Sequence, residues 1–267
     1  MGKRLGRYAE LMGDNIIGIY LSSEPLCDSN LTTEDDEPKL RRFIHDQETI
    51  QNLRRLGHGE HGVVVSADIE GANYALKIFQ EWKQPGPVFY SNHDAICITP
   101  LACECRAFAR LDSRRENGTW AVRCYGWMKL TDAQFKALGG VVDTHNLSRW
   151  VVVKEALPQP TNRSHLETIY KNFEIPKRAR IYPRDIRIEN YRGSKIVDLS
   201  STLTKPCPEW RGFWFDHFYK ETINRTQTAP AYEPFQMVVV PVYNHLFDSV
   251  GNPGLRDPSQ LAIFMAL

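Results

Sequence analysis

Apolar and polar residues begin to alternate regularly only near Thr49. Three runs follow, 49–56, 62–69 and 73–79, and each reads as a strand. Val63-Val-Val65 and Tyr74-Ala-Leu-Lys-Ile78 supply the β-branched and aromatic residues that a pleated, half-buried surface favours. Glu70-Gly71 between the second and third fits a tight hairpin turn. Gln84-Pro-Gly-Pro87 then breaks the chain. A helix is expected over 99–111, with Pro100 in its first turn, where a missing N–H does no harm. Residues 121–130 and 149–157 read as two more strands joined by a polar excursion.

Pro158 and Pro160 mark a hinge, and the second part opens with a helix over 164–172. Further on, Trp210, Phe213, Trp214, His217 and Phe218 recur on one face of a helix, the spacing of a packed core stripe. Residues 235–246 are apolar but interrupted by Pro241, and helix and strand fit them equally. The first 48 residues show no sustained period, and 22–38 is a polar, acidic loop. Three divisions result: an extension over 1–48 that is partly loop, a strand-rich unit over 49–157, and a smaller, mainly helical unit over 158–267.

Composition narrows the function classes. The chain has 267 residues, 42% hydrophobic and 24% charged, ordinary values for a globular protein. A formal net charge of +1 gives no electrostatic case for nucleic acid or an anionic membrane as the main partner. No apolar run approaches the ~20 residues of a membrane span, and the first residues lack the apolar stretch of a secretory signal. An intracellular protein, of nucleus or cytoplasm, is expected. Six cysteines form no Cys-x-x-Cys pair, so reduced, mostly buried thiols fit better than a zinc site.

The chemistry lies in five short motifs. Gly57-x-Gly59-x-x-Gly62-x-Val64 sits between two expected strands, where glycines let backbone N–H groups approach a phosphate. Alone it would also suit a plain glycine-rich hairpin. Lys77 lies among apolar strand neighbours, and a buried ammonium needs anionic partners. Glu104, on the expected helix, is the natural candidate, and Glu116, near that helix's end, is the alternative. Arg184-Asp185 is followed by Asn190 at a spacing that suits a proton-accepting aspartate and a magnesium-binding amide oxygen. Asp198 ends a short apolar strand and offers the oxygen donor that magnesium prefers.

In this order the motifs resemble the protein-kinase-like superfamily over about residues 50 to 210. Tyr74-Ala-Leu-Lys-Ile-Phe79, Glu104-Cys-Arg-Ala-Phe-Ala-Arg-Leu111 and Ile186-Arg-Ile-Glu-Asn-Tyr-Arg192 are similar, more narrowly, to a divergent fungal family of kinetochore subunits with a kinase-like fold. The resemblance implies an α+β, two-lobed fold, with an antiparallel N-terminal sheet plus one helix and a reduced helical second lobe. It implies an ATP and Mg2+ site in which Lys77 pairs the phosphates and Glu104. Asp185 would be the base, Asn190 and Asp198 would hold magnesium, and the backbone of Glu155 to Leu157 would meet the adenine.

Several residues depart from the superfamily pattern. Pro183 stands where a histidine usually precedes the Arg-Asp pair, and Asp198-Leu-Ser200 replaces Asp-Phe-Gly. Cys207-Pro-Glu209 follows Asp198 closely, leaving little chain to hold a peptide substrate, and Lys154 falls where an apolar side chain is expected. Two functions follow. One is an enzyme moving phosphate from ATP to a hydroxyl, on protein Ser/Thr or a small molecule. The other is a pseudokinase serving as an interaction module among protein partners in a larger assembly, such as a kinetochore complex.

Overall fold

The computed structural model describes residues 13–25, 37–81, 92–205 and 207. The aromatic stripe after Trp210, the apolar run 235–246 and the Gln84-Pro-Gly-Pro87 break lie outside them. The architecture is mixed α+β. Its centre is a seven-stranded sheet in the order β1-β2-β6-β7-β5-β4-β3, built from β1 (Leu21–Pro25), β2 (Leu40–Arg42), β3 (Gln51–Gly59), β4 (Gly62–Ile69), β5 (Ala72–Gln80), β6 (Cys124–Lys129) and β7 (Leu147–Glu155).

The five strands expected from residue 49 onward are present, and four of the sheet's pairings are antiparallel. The expectation of an antiparallel sheet is corrected at one side, where β1 pairs β2 and β2 pairs β6 in parallel. Both added strands come from the first 48 residues. They are short, and the polar residues around them hide any period.

Local chemistry explains the joints. Ile69 faces Ala72 across a two-residue turn in which Glu70 and Gly71 both have positive φ, the backbone twist a tight hairpin requires. α1 (Asn92–Cys97) leads into α2 (Pro100–Ser113), whose first turn is capped by the Thr99 hydroxyl accepting from the Ala102 N–H at 3.3 Å. The polar excursion between β6 and β7 contains α3 (Asp132–Leu138), missed by the strand reading but announced by Thr131 and Gln134, which form a capping box.

Two apolar cores sandwich the sheet. Trp150 and Val152 of β7 join Phe108, Leu111 and Trp120 on one side; Val151 and Val153 join Val65, Ile78 and Met128 on the other. β7 is buried on both faces, hence its unbroken apolar run. The rest comprises α4 (Leu166–Asn172), α5 (Glu174–Ala179) and two small two-stranded sheets, β8 (Ile181–Pro183) with β11 (Thr202–Thr204) and β9 (Tyr191–Arg192) with β10 (Lys195–Ile196). Among the described residues it has few helices. Ile196 ties it to the strand side, donating to Trp120 O at 3.1 Å and accepting from Val122 N at 3.0 Å.

Candidate functional site

A cleft of about 560 Å³ opens between the β3–β4 turn and the β8–β10 segment. Its lining includes Gly57, Gly59, Gly62, Val64, Lys77, Glu155, Leu157, Asp185, Asn190 and Asp198. Residues from four separate stretches of sequence thus meet in one place. Glu104 is absent from the lining because it lies behind Lys77, on α2, with no exposed surface.

The glycines do different things. Gly62 approaches the facing strand so closely that a Cβ would stand 2.1 Å from the Ile78 carbonyl oxygen, so this glycine is required by the sheet itself. Gly57 and Gly59 have open space around the missing Cβ and no positive φ, so the fold itself leaves room for a side chain at both. His58 pairs with Arg55 at 2.7 Å.

The floor of the cleft is a network of charges. Lys77 Nζ lies 2.7 Å from Glu104 Oε2 and 2.7 Å from Asp198 Oδ1. Glu116, the alternative partner, is instead held by Arg178 at 2.6 Å. Burial alone would depress the Lys77 pKa, but Asp198 and Glu104 outweigh it and lift the value above the usual lysine range. For Asp198 burial acts upward, yet Lys77, Lys154 and the Ser200 hydrogen bonds drive its carboxyl well below the usual range.

Two members of the network were not anticipated as such. Lys154, noted only as a departure from an apolar position, is 3% exposed and donates to Glu104 Oε1 at 2.7 Å and to the Val197 carbonyl at 2.8 Å. A lysine set beside three consecutive valines was the available signal. Arg187 forks onto Asp185, with Nε 2.6 Å from Oδ1 and Nη2 2.7 Å from Oδ2. The alternation Asp185-Ile-Arg187 placed these two side chains within reach of each other.

Asn190 is positioned by a 3₁₀ turn, Ile188–Asn190, and its amide nitrogen donates to both the carbonyl and Oδ2 of Asp185, each at 3.0 Å. Its amide oxygen is therefore the donor left for a cation. Asp198 Oδ1 accepts from Lys77 and from the N–H and hydroxyl of Ser200, at 2.9 and 2.6 Å. Serine in place of glycine thus pins the loop after Asp198, and Oδ2 is the oxygen with no partner among the described residues. At the expected hinge, the Glu155 N–H is already taken by the Arg123 carbonyl at 2.8 Å, and its carboxylate by Lys195 at 3.0 Å.

His61, on the β3–β4 turn, has its pKa lowered by burial and then by the nearby Lys77 charge, against the pull of Asp198, Glu60 and Glu104. The folded state therefore holds His61 neutral where an unfolded chain, with a value of about 6.5, takes up a proton. Stability should fall as pH drops through that range. Thermal melts between about pH 5 and about pH 7.5 should show it, and His61→Gln should flatten that part of the profile; an unchanged profile would remove His61 as its source.

The fold and cleft define a class: a mixed α+β protein whose large sheet, backed by the long helix α2, carries an ion-paired, glycine-roofed cavity. The family is shown by a match over residues 21–203, from the first residue of β1 into β11, to the model of the kinetochore Sim4 complex subunit FTA2. The chain belongs to that family, and the resemblance to kinetochore subunits is borne out. No curated protein matches it.

Proposed function

We propose that this chain is a subunit of a multi-protein kinetochore assembly, working in the nucleus among protein partners on a two-lobed, kinase-like fold. Family membership supports the assembly role. The observation that carries the preference for scaffold over enzyme is the Arg187 fork on Asp185. A general base must reach the proton it removes, and here both carboxylate oxygens already serve a guanidinium. Taking a proton from an alcohol requires breaking one of those charge-assisted bonds first.

The test separates assembly from chemistry. Asp185→Asn should leave centromere localisation and co-purification with kinetochore subunits as in the wild type. Loss of both, together with measurable phosphate transfer by the wild type, would replace this reading.

A second reading has its own support. The cleft gathers the three turn glycines, Lys77, Asn190 and Asp198, a donor set that suits a nucleoside triphosphate and its cation. In that reading ATP is the ligand, with Lys77 and the turn near its phosphates and Glu155 to Leu157 beside the base. Asn190 and Asp198 would hold Mg2+, whose charge offsets that of the phosphates. The acceptor would be a hydroxyl, on protein Ser/Thr or on a small molecule.

A ligand at a hundredfold excess over Kd stabilises the folded state by about 2.7 kcal/mol. Saturating Mg-ATP should therefore raise the melting temperature by about 5–10 °C. A shift without transfer of label from γ-labelled ATP fits a liganded scaffold. Transfer that disappears in Asp185→Asn makes the protein an enzyme.

A further inference from the structure

Lys154 interrupts β7, a strand buried on both faces, following Val151, Val152 and Val153, with Ala75 and Cys124 opposite it on the neighbouring strands. An ammonium in such a place is tolerated only when tightly paired. Its Nζ spans 2.7 Å to Glu104 Oε1 and 2.8 Å to the Val197 carbonyl, joining α2 to the segment that carries Asp198. That segment is itself anchored, since Val197 N donates to Asn190 O at 2.7 Å. Glu104 therefore has one lysine for each oxygen, and both lysines are almost fully buried.

The two lysines differ in their other partner. Lys154 turns to a backbone carbonyl. Lys77 turns to Asp198, whose side chain is 35% exposed and borders the cleft. An anion entering the cleft competes with carboxylates for Lys77. With only one lysine on Glu104, drawing it away would strand a carboxylate with no exposed surface, and the anion would bind against that penalty.

We propose that Lys154 is a positioning residue that holds Glu104 and α2 by itself, leaving Lys77 available to an anionic ligand of the cleft. The ligand half of this inference rests on the nucleotide reading; the hold on α2 does not.

Two measurements on the full chain test the two halves. Without ligand, amide exchange across residues 100–113 in Lys77→Met should stay within about threefold of the wild type, because Lys154 still pairs Glu104. In Lys77→Met/Lys154→Met it should accelerate by about a hundredfold or more. Opening of the helix by Lys77→Met alone would overturn the inference.

With Mg-ATP as the probe, calorimetry on Lys154→Met, which keeps the Lys77–Glu104 pair and so its fold, should show affinity weakened by about tenfold or more. Adding Glu104→Gln should restore it to within about threefold, because an amide makes no claim on Lys77, and Lys154→Arg should bind like the wild type. A merely structural lysine would not be rescued by Glu104→Gln. Unchanged affinity in Lys154→Met, or no rescue, overturns the ligand half. If the wild type itself binds no Mg-ATP, the nucleotide reading falls, and the exchange measurement alone decides what holds α2.

Discussion

Replacing Glu104 by leucine should lower the melting temperature by ~6–20 °C, the largest loss expected from any one side chain of the buried charge network. The substitution leaves two buried ammonium groups, Lys77 and Lys154, without the carboxylate that lies 2.7 Å from each. Breaking a buried pair by removing one partner costs about 3–5 kcal/mol, and each kcal/mol moves Tm by about 2–4 °C in a domain of this size. Asp198 offsets only part of the loss, because it faces Lys77 and is partly solvated. Lys77→Met/Lys154→Met added to Glu104→Leu should recover much of the deficit by making the cluster apolar. A melting temperature within about 2 °C of the wild type for Glu104→Leu would mean that the four groups are not charged and paired as drawn.

Gly126→Ala should also be strongly damaging, through the side of the sheet away from the glycine turn. Gly126 has φ +121°, and a Cβ there would lie 2.4 Å from the Arg41 carbonyl oxygen and 2.9 Å from the Phe43 nitrogen. Nothing flexible can yield, since both atoms are backbone. Residual strain of about 1–3 kcal/mol in the dihedral adds to about 1–3 kcal/mol for overpacking, so a loss of ~2–6 kcal/mol is expected in urea titrations. Exchange should quicken first in residues 40–43, where Phe43 N donates to Trp127 O at 2.7 Å and Arg42 pairs with Trp127. Unaltered stability with full protection of 40–43 would show that β2 does not dock on β6 in this way.

Strong periodicity made most of the sheet legible. β4 carries three consecutive valines and β5 the apolar and aromatic run Tyr74-Ala-Leu-Lys-Ile-Phe79, with a glycine turn between them, and α2 announces itself with Thr99, Pro100 and a buried face. β1 and β2 escaped because short strands cannot display an alternation, and their partner, β6, lies far along the chain. α3 escaped because its polar face dominated the reading, although Thr131 and Gln134 marked its start.

In the cleft, the readable residues were those that stand in spaced motifs, the three glycines, Lys77, Asp185, Asn190 and Asp198, and the fold brings them to one cavity. The residues that close the site on itself were harder to see. Arg187 is 56% exposed on its side chain and looks like any surface arginine until its carboxylate partner is placed. Lys154 has meaning only once α2 is packed across β7. The Lys154–Glu104 pair spans fifty positions of sequence, and pairing across elements is what a one-dimensional pattern lacks. Arg187 and Asp185 are only two positions apart, and what the pattern lacked there was side-chain orientation.

The parallel pairing of β2 with β6 also sets an order of assembly. During synthesis residues 21–42 emerge first, yet Arg42 cannot find Trp127 until β3, β4, β5 and α2 have all been made. The β3–β4–β5 meander closes through two short turns and can form early, whereas the β1–β2 edge must wait for a long loop to close, the slow kind of contact. Throughout that interval the Leu21 and Leu40 side chains, almost fully buried in the finished protein, are exposed to solvent. The nascent chain therefore passes through a stage with an unfinished sheet edge, the stage at which chaperone binding or aggregation competes with folding.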